Sequence, residues 1–371
     1  MSRKLASVQK IKAIKPIEGA DKIEIVQVLN WDCVAKKGEY QVGDEVIYFE
    51  IDSLLPDIPM LEWLKGSSWS QKLNKYKIST HKFRGQISQG LVMPIKDLEE
   101  LDRQIHNREE CVPIAYTEGT DLTELLNVEK YEPPVSNGSL GDLIHHEWYI
   151  PKTDEERIQV CAADVLPTYM NSEQGDWYSS IKLDGTSCTA GLFDDAFLIG
   201  GRNQFYKDEN MYTTTVNKYF RNGAKEKFEN YKAINGVYVA FQGELCGPGI
   251  QGNKLGLKEK EWFIFNAFVS KTGKNGSYVK CDLLYMLKLC EEFGLKHVPL
   301  IDAEDKFKFD PEETVDNTVE KLLKYVDDIK YRKYFTDASP NQIAEGVVFR
   351  TEDMTHSFKV VSNKYLLKGG E

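Results

Sequence analysis

A lysine followed closely by an aspartate and a glycine is the sharpest chemical signal in the chain. In the run SIKLDGT from Ser180 to Thr186, Lys182 ends a β-type stretch and a tight turn at Asp184 and Gly185 is predicted next. A lysine attacks phosphorus only as the neutral amine, so burial or nearby cations must lower its pKa, and a turn would fix its direction. The same letters also fit an exposed hairpin turn with an incidental lysine, because Asp-Gly is a common hairpin signal. Taken alone, the run leaves both interpretations open.

An ordered series of further motifs follows this lysine. The runs are GGRN from Gly200, FQGEL from Phe241, WFIFN from Trp262, EGVVFR from Glu345 and SFKVV from Ser357. Any one of them would be weak evidence, whereas their agreement in order and spacing is hard to produce by chance. With the KxDG run at Lys182, the series resembles the covalent nucleotidyltransferase superfamily of polynucleotide ligases and RNA capping enzymes.

The resemblance implies a role for several single residues. Lys182 is the nucleophile that takes the nucleotide, and Lys359 resembles the lysine that contacts the α-phosphate and offsets its charge. Arg202 resembles the residue that contacts ribose and phosphate with its planar donor fork. Phe265 resembles the aromatic residue that stacks on the adenine. Without the resemblance, Phe265 would be read as a sheet-core residue and Arg202 as a solvated loop residue.

Two carboxylates and the glycine turn complete the implied nucleotide site. Glu244 and Glu345 resemble the pair that holds ribose or a divalent metal, and Mg²⁺ or Mn²⁺ is the implied cofactor because hard cations prefer oxygen ligands. Asp184 and Gly185 belong to the nucleotide-binding set through the KxDG run. Each glutamate alone would be read as a surface carboxylate.

The last motif departs from the pattern of many relatives. They carry a second lysine two residues after the first, and here that place is Val361, with Lys364 three residues further on. Lys364 is therefore a weak candidate for a replacement.

The amino-terminal half narrows the resemblance to one branch. The runs HKFRGQISQGLVMP from His81, YEPP from Tyr131 and PKTDEERIQ from Pro151 resemble the Deinococcus-type ATP-dependent RNA ligases. That family implies three steps, which are adenylation of the lysine by ATP, transfer of AMP to a 5′-phosphate, and sealing by a 3′-OH. It further implies RNA repair at nicks in duplexes whose 3′-OH strand is RNA.

The fold class predicted from these patterns is α+β. Short β-type runs broken by turns up to about Pro94 favour an OB-type β-barrel, and later alternating strands and helices favour an antiparallel-sheet α+β domain. The resemblance makes the latter an ATP-grasp-like nucleotidyltransferase domain. We expect an OB-fold nucleic-acid-binding domain over 1–100, a linker over 101–150 and the adenylyltransferase domain over 151–371.

A local basic patch is the predicted nucleic-acid contact. The net charge of −11 argues against general binding to nucleic acid, so the contact must be local. Lysines and an arginine cluster from Lys65 to Arg84. Lys82 and Arg84 are expected to touch phosphates, although a solvated loop explains them equally well.

The cysteines and the distribution of apolar residues indicate in which cellular compartment the chain is expected. The seven cysteines are odd in number and form no CxxC pair, so neither a zinc site nor a disulfide framework is indicated. The amino terminus has no signal-peptide core, and eighteen apolar residues never run together. A cytoplasmic monomer with no membrane contact is expected, with RNA and ATP as partners.

Three alternatives stay open. A capping guanylyltransferase uses the same lysine chemistry on GTP, but its OB domain follows the catalytic domain, and here ten residues follow Val361. A binding protein that kept the fold without activity predicts loss of the nucleophile or carboxylates, yet Lys182, Glu244 and Glu345 are present. A tRNA-binding OB module accounts for only the first 95 residues.

Overall fold

The structure, a computed structural model, divides the chain into two compact units, Met1–Val135 and Ser136–Glu371. It describes residues 3–110, 113–131, 144–145, 149–151, 153–170, 177–220, 223–301 and 312–368. The Ser136–Ser139 part of the predicted linker lies outside the described residues, as does all of the YEPP run after Tyr131. The boundaries at 100 and 150 stay a prediction.

The amino-terminal unit is built from antiparallel strands. They are β1 (Ala6–Pro16), β2 (Ile23–Val28), β3 (Trp31–Lys36), β4 (Glu45–Phe49), β5 (Ser53–Leu55), β6 (Trp69–Ser70), β7 (Lys75–Lys77), β8 (Thr80–Phe83), β9 (Gln86–Gln89), β10 (Leu91–Pro94) and β11 (Glu129–Lys130). One sheet has the order β10-β4-β1-β2-β3, a second has the order β11-β5-β7-β6, and β8 and β9 form a hairpin. The order of the first sheet brings strands distant in sequence, β1 and β4, into direct register.

Apolar side chains from strands and helices share one core in this unit. The helices are α1 (Lys65–Ser68) and α2 (Leu98–Ile105). Val8 on β1 and Ile47 on β4 are fully buried, and Leu101 on α2 and Leu126 in the following loop pack into the same cluster. Burial of each such side chain stabilises the unit by roughly 1.5–3 kcal/mol relative to exposure. Residues beyond position 100 therefore contribute to the amino-terminal core.

The carboxy-terminal unit contains the remaining strands and helices. Its strands are β12 (Ile144–His145), β13 (Trp177–Lys182), β14 (Thr186–Phe193), β15 (Ala196–Gly200), β16 (Gln204–Tyr206), β17 (Tyr238–Cys246), β18 (Glu261–Ser270), β19 (Val279–Lys280), β20 (Lys296–His297), β21 (Gly346–Thr351) and β22 (Ser357–Val361). Its helices are α3 (Ile158–Met170), α4 (Met211–Asn217), α5 (Ala224–Asn235), α6 (Leu283–Phe293), α7 (Val315–Asp327) and α8 (Asn363–Leu366).

Two sheets carry this unit. The larger has the order β12-β16-β15-β14-β17-β18-β19 with β20 beside β18, and the smaller has the order β13-β21-β22. All of these pairings are antiparallel except β18 with β20, which confirms the predicted α+β class built on antiparallel sheets. One apolar cluster around Phe241 and Trp262 serves the larger sheet, and another around Ile181 and Val347 serves the smaller. The functional residues lie where the two sheets meet.

The described cysteines are all buried free thiols. In the part of the chain that the structure describes, the helices are too short or too polar to cross a membrane. The expected cytoplasmic location and monomeric state stay predictions.

Candidate active site

Lys182 stands at the crossing from one sheet to the other. It is the last residue of β13 in the smaller sheet, and β14 in the larger sheet begins at Thr186. This excludes the alternative of an exposed hairpin turn, because β13 and β14 do not pair with each other. Gly185 is needed for close approach, since a Cβ there would lie 2.5 Å from the carbonyl oxygen of Leu245. The glycine lets the crossing pass directly over β17.

Strand register places a carboxylate against the lysine amine. Lys182 pairs with Gly346 in the ladder between β13 and β21, so Glu345 comes directly beside the end of β13. The Nζ of Lys182 donates a hydrogen bond to Oε1 of Glu345 at 2.5 Å. The side chain of Glu345 is 10% exposed and that of Lys182 is 27% exposed. The lysine amine is thus held at the edge of the interior, with one face open to solvent.

A second lysine and a second carboxylate complete this group. Lys359 on β22 lies opposite Val348 of β21, and burial, then the charges of Lys182 and Arg157, lower its pKa to about 8. Glu244 on β17 lies in the larger sheet, and burial raises its pKa to about 8, with Lys182 opposing the rise. Both pKa shifts arise mainly because burial disfavours the charged form of each side chain. A ligand that carries phosphate would suit these side chains, because its negative charge would stabilise the protonated form of Lys359.

A β-bulge directs Phe265. The register between β17 and β18 shifts between Gln242 and Gly243, which face Asn266 and Ile264, so Phe265 has no partner across the ladder. A bulge turns a side chain away from its ordinary alternation. The ring of Phe265 is half-buried, which leaves a face available for stacking.

Arg350 fixes the backbone at that bulge. Its Nη1 donates to the carbonyl oxygen of Phe265 at 2.8 Å, and its guanidinium carbon lies 5.8 Å from the centre of the Phe265 ring. Its Nε and Nη2 donate to Oε1 of Glu155 at 2.9 and 2.7 Å. Burial opposes ionisation of Glu155, yet Arg350 keeps the pKa of that carboxyl below its usual value. Arg350 therefore links β21, β18 and the chain before α3.

The short segment Thr153–Arg157 contacts residues of almost every motif. The hydroxyl of Thr153 donates to Oε1 of Gln242 at 2.6 Å. The carboxylate of Asp154 accepts two hydrogen bonds from Arg202, at 3.1 and 2.5 Å. The backbone N–H of Lys359 donates to the carbonyl oxygen of Glu156 at 2.7 Å. The segment lies within the PKTDEERIQ run, for whose single residues the sequence predicts no role.

Asp184 pairs with a different lysine, although its charge also acts on Glu244. Its Oδ2 lies 2.6 Å from Nζ of Lys254, which also donates to the hydroxyl of Tyr365 at 2.7 Å. Lys364, the weak candidate of the last motif, instead pairs with Asp328 at 2.9 Å and is about half exposed. The structure therefore brings together Lys182, Glu345, Lys359 and Glu244, with Lys364 elsewhere.

The predicted phosphate-contacting residues form a hairpin in the amino-terminal unit. Lys82 lies on β8 and is exposed, and Arg84 takes a left-handed conformation with φ of 46° at the turn into β9. The Nη1 of Arg84 donates to the carbonyl oxygen of Gly19 at 2.6 Å. Phe83, for which the sequence alone predicts no role, is 40% exposed between them.

Other lysines of the predicted patch have partners of their own. Lys75 pairs with Glu129 at 2.5 Å, and the Nζ of Lys77 lies 3.6 Å from the ring centre of Tyr131. The ion pair offsets the charge of Lys75, and the ring of Tyr131 covers one side of the Lys77 ammonium group. The hairpin of β8 and β9 is consequently the better candidate surface.

Comparisons with known proteins agree with this architecture. The sequence model of an OB-fold domain matches residues 5–95, and that of the RNA ligase family matches residues 175–366. A solved Naegleria gruberi RNA ligase variant with AMP and Mn is 29% identical, with a TM-score of 0.76 over 99% of each chain. A variant with ATP and Mn is 28% identical, with a TM-score of 0.77 over 100% of each chain. The same ligase with PPi is 29% identical, with a TM-score of 0.75 over 100% of this chain and 99% of that chain. No curated protein sequence matches the chain.

Proposed function

This chain belongs to the RNA ligase family, as its motif order predicted, and we propose that it seals RNA with ATP through a lysyl-AMP intermediate on Lys182. The observation that carries the proposal is the convergence of Lys182, Glu345, Lys359 and Glu244 where two sheets meet. An amine beside a phosphate-binding cation and two carboxylates is suited to nucleotide transfer.

The proposed reaction has three displacements at phosphorus. The Nζ of Lys182 attacks the α-phosphorus of ATP, so that a nitrogen–phosphorus bond forms, a proton leaves the amine and pyrophosphate departs. An oxygen of an RNA 5′-phosphate then attacks the same phosphorus, and the lysine is released. Finally, a 3′-OH attacks the activated 5′-phosphate, a phosphodiester forms and AMP departs.

Each side chain has a distinct task in the first displacement. Glu345 holds the amine of Lys182 at the end of β13 by its 2.5 Å contact. Lys359 would offset the charge that develops on the α-phosphate. Arg202 offers a planar donor fork, which Asp154 already holds in one orientation. Phe265 would stack on the adenine.

The carboxylates fit a divalent cation of the Mg²⁺ or Mn²⁺ type. In the described ranges, groups of three or more His, Cys, Asp or Glu side chains that could hold a metal are absent. Mg²⁺ needs no such cage, because it binds through one or two carboxylates together with phosphates and waters. Glu345 and Glu244 are the residues that would hold it, since burial raises the pKa of Glu244 and a bound cation would favour the charged form of that carboxylate. When bound, the ion offsets charge on the phosphates.

The proposed RNA substrate is a nicked duplex whose 3′-OH strand is RNA. The exposed hairpin with Lys82 and Arg84 supports a phosphate contact, and the exposed ring of Phe83 between them could stack on a base. This surface is local, as the net charge of −11 requires.

A labelling experiment tests the first displacement. The protein is incubated with a divalent cation and with ATP or GTP labelled at the α-phosphate, and label that survives denaturation is measured. We expect label from ATP, its removal by pyrophosphate, and its loss in Lys182→Ala. Lys288→Ala is the matched control, because Lys288 is an exposed lysine on α6 of the same unit.

The outcomes separate the alternatives. Label from GTP alone would favour the capping chemistry, and no label from either nucleotide would overturn the proposal. Joining is then compared on a nicked duplex and on single strands, with RNA or DNA at the 3′-OH side. If single strands were joined as fast as the nicked duplex, the proposed preference for nicks would be refuted, while the proposed ligase activity would stand.

A further inference from the structure

We propose that Tyr331 is a positioning residue, whose hydroxyl fixes the backbone that carries Lys182 to the backbone that carries Glu345. This inference rests on the proposed function, since it concerns how the nucleophile is aligned. Tyr331 lies after α7, outside the motifs that predicted the site, and it is fully buried.

One hydroxyl group makes three hydrogen bonds here. The Tyr331 hydroxyl donates to the carbonyl oxygen of Lys182 at 3.0 Å. It accepts from the backbone N–H of Asp184 at 3.0 Å and from the backbone N–H of Glu345 at 3.2 Å. A phenol has one donor and two acceptor positions, so its bonding capacity is fully used.

The backbone N–H groups of Asp184 and Glu345 lie outside the paired strands, so ladder hydrogen bonds do not satisfy them. Asp184 lies beyond the end of β13, and Glu345 lies just before β21, so both N–H groups point into the crossing between the sheets. Buried N–H groups need an acceptor, and the phenol oxygen is the one that joins the two. Burial raises the pKa of Tyr331, which keeps the phenol protonated and able to donate.

The tyrosine itself is anchored on its far side. Its backbone N–H donates to the carbonyl oxygen of Gln342 at 3.1 Å, and its carbonyl oxygen accepts from Phe335 at 2.8 Å. The ring packs in the apolar cluster of the smaller sheet. The backbone bonds and the packing of the ring therefore fix the position of the hydroxyl, which in turn fixes the backbone at Lys182.

Tyr331→Phe tests the inference, because it keeps the ring and removes only the hydroxyl. We expect the single-turnover rate of Lys182 adenylation at saturating ATP to fall by about tenfold to a hundredfold, since small misplacements of a nucleophile have costs of this size. The KM for ATP should change less than twofold, because Phe265, Arg202 and Lys359 are untouched. Tyr278→Phe is the matched control, since its hydroxyl donates to a backbone carbonyl elsewhere in the same unit.

Hydrogen exchange gives a readout that does not depend on activity. In the wild type, the amides of Asp184 and Glu345 should be protected, and in Tyr331→Phe they should exchange faster while amides in the centre of β17 keep their protection. Loss of protection throughout the unit would mark a merely structural role and overturn the inference. If the variant does not fold, rapid exchange of these two amides in the wild type would still overturn it.

Failure of this inference is distinct from failure of the proposed function. A wild type that acquires AMP and a Tyr331→Phe variant that acquires it equally fast would refute positioning alone. A wild type that never acquires AMP would refute the proposed function, and the positioning inference with it.

Discussion

Replacing Glu244 by glutamine should make the carboxy-terminal unit more stable, and increasingly so as the pH rises. Glutamine keeps the shape of the side chain and removes the charge. The pKa of Glu244 is raised from 4.5 to about 8 by burial, with Glu345 and Asp184 adding to the rise. At about 1.4 kcal/mol per pKa unit, this shift corresponds to at most about 5 kcal/mol of lost stability at high pH.

The sign follows from proton binding. Between pH 4.5 and about 8 the folded protein holds a proton on Glu244 that the unfolded chain has released, so rising pH favours unfolding. Glu244→Gln removes this loss, and the stability difference between variant and wild type should grow across that window. Lys359, with its pKa lowered to about 8, acts in the opposite direction and mainly above pH 8.

Urea unfolding of the nucleotide-free protein at pH 5, 6, 7 and 8 measures this difference. Pulse hydrogen–deuterium labelling of β17 peptides across the urea series reports the carboxy-terminal unit directly. Glu291→Gln is the control, since Glu291 is an exposed glutamate on α6, and its effect should stay within about 0.5 kcal/mol at each pH. If Glu244→Gln changed stability equally at pH 5 and pH 8, the argument from burial would be refuted.

Three further substitutions test the ligand contacts. Phe265→Leu should raise the KM for ATP by about tenfold, because stacking on a base is worth about 1–3 kcal/mol, and an unchanged KM in an ATP titration of AMP labelling would exclude stacking. Arg202→Lys should lower kcat/KM for adenylation by about tenfold, since lysine lacks the fork that Asp154 orients, and wild-type activity would show that charge alone suffices. Lys82→Ala combined with Arg84→Ala should reduce the slope of log affinity against log salt by about 2 in anisotropy titrations with a nicked duplex. An unchanged slope would show that the hairpin contacts no phosphate.

The strands that sequence predicted well have strong local patterns. β2 (Ile23–Val28) and β22 (Ser357–Val361) are both short β-type runs bounded by turns, the pattern from which the sequence predicts strands. Helix α3 was not predicted, and it contains Pro167, which ordinarily argues against a helix interior. Helix α5 was also not predicted, since it is rich in charge and buries little more than Ala224 and Phe228.

Motif order predicted most of the residues that the structure brings together around Lys182. What it missed are contacts between distant parts of the chain, which leave no local pattern. Tyr331 meets Lys182 across 149 positions, and Arg350 meets Glu155 across 195. A nucleophile can be predicted from the residues next to it in the sequence. Residues that orient it from distant positions in the sequence can be identified only from the three-dimensional structure.

The segment Thr153–Arg157 also determines where the enzyme could be shortened. A fragment cut at residue 175, where the match to the RNA ligase family begins, would keep Lys182, both carboxylates and every strand of the two sheets except β12. It would lose the segment Thr153–Arg157, which hydrogen-bonds to Arg202, to Arg350 and to the backbone of Lys359. Such a fragment would contain every run from Lys182 to Lys359 on which the resemblance rests, and it would still lack the PKTDEERIQ segment whose contacts hold residues of those runs together.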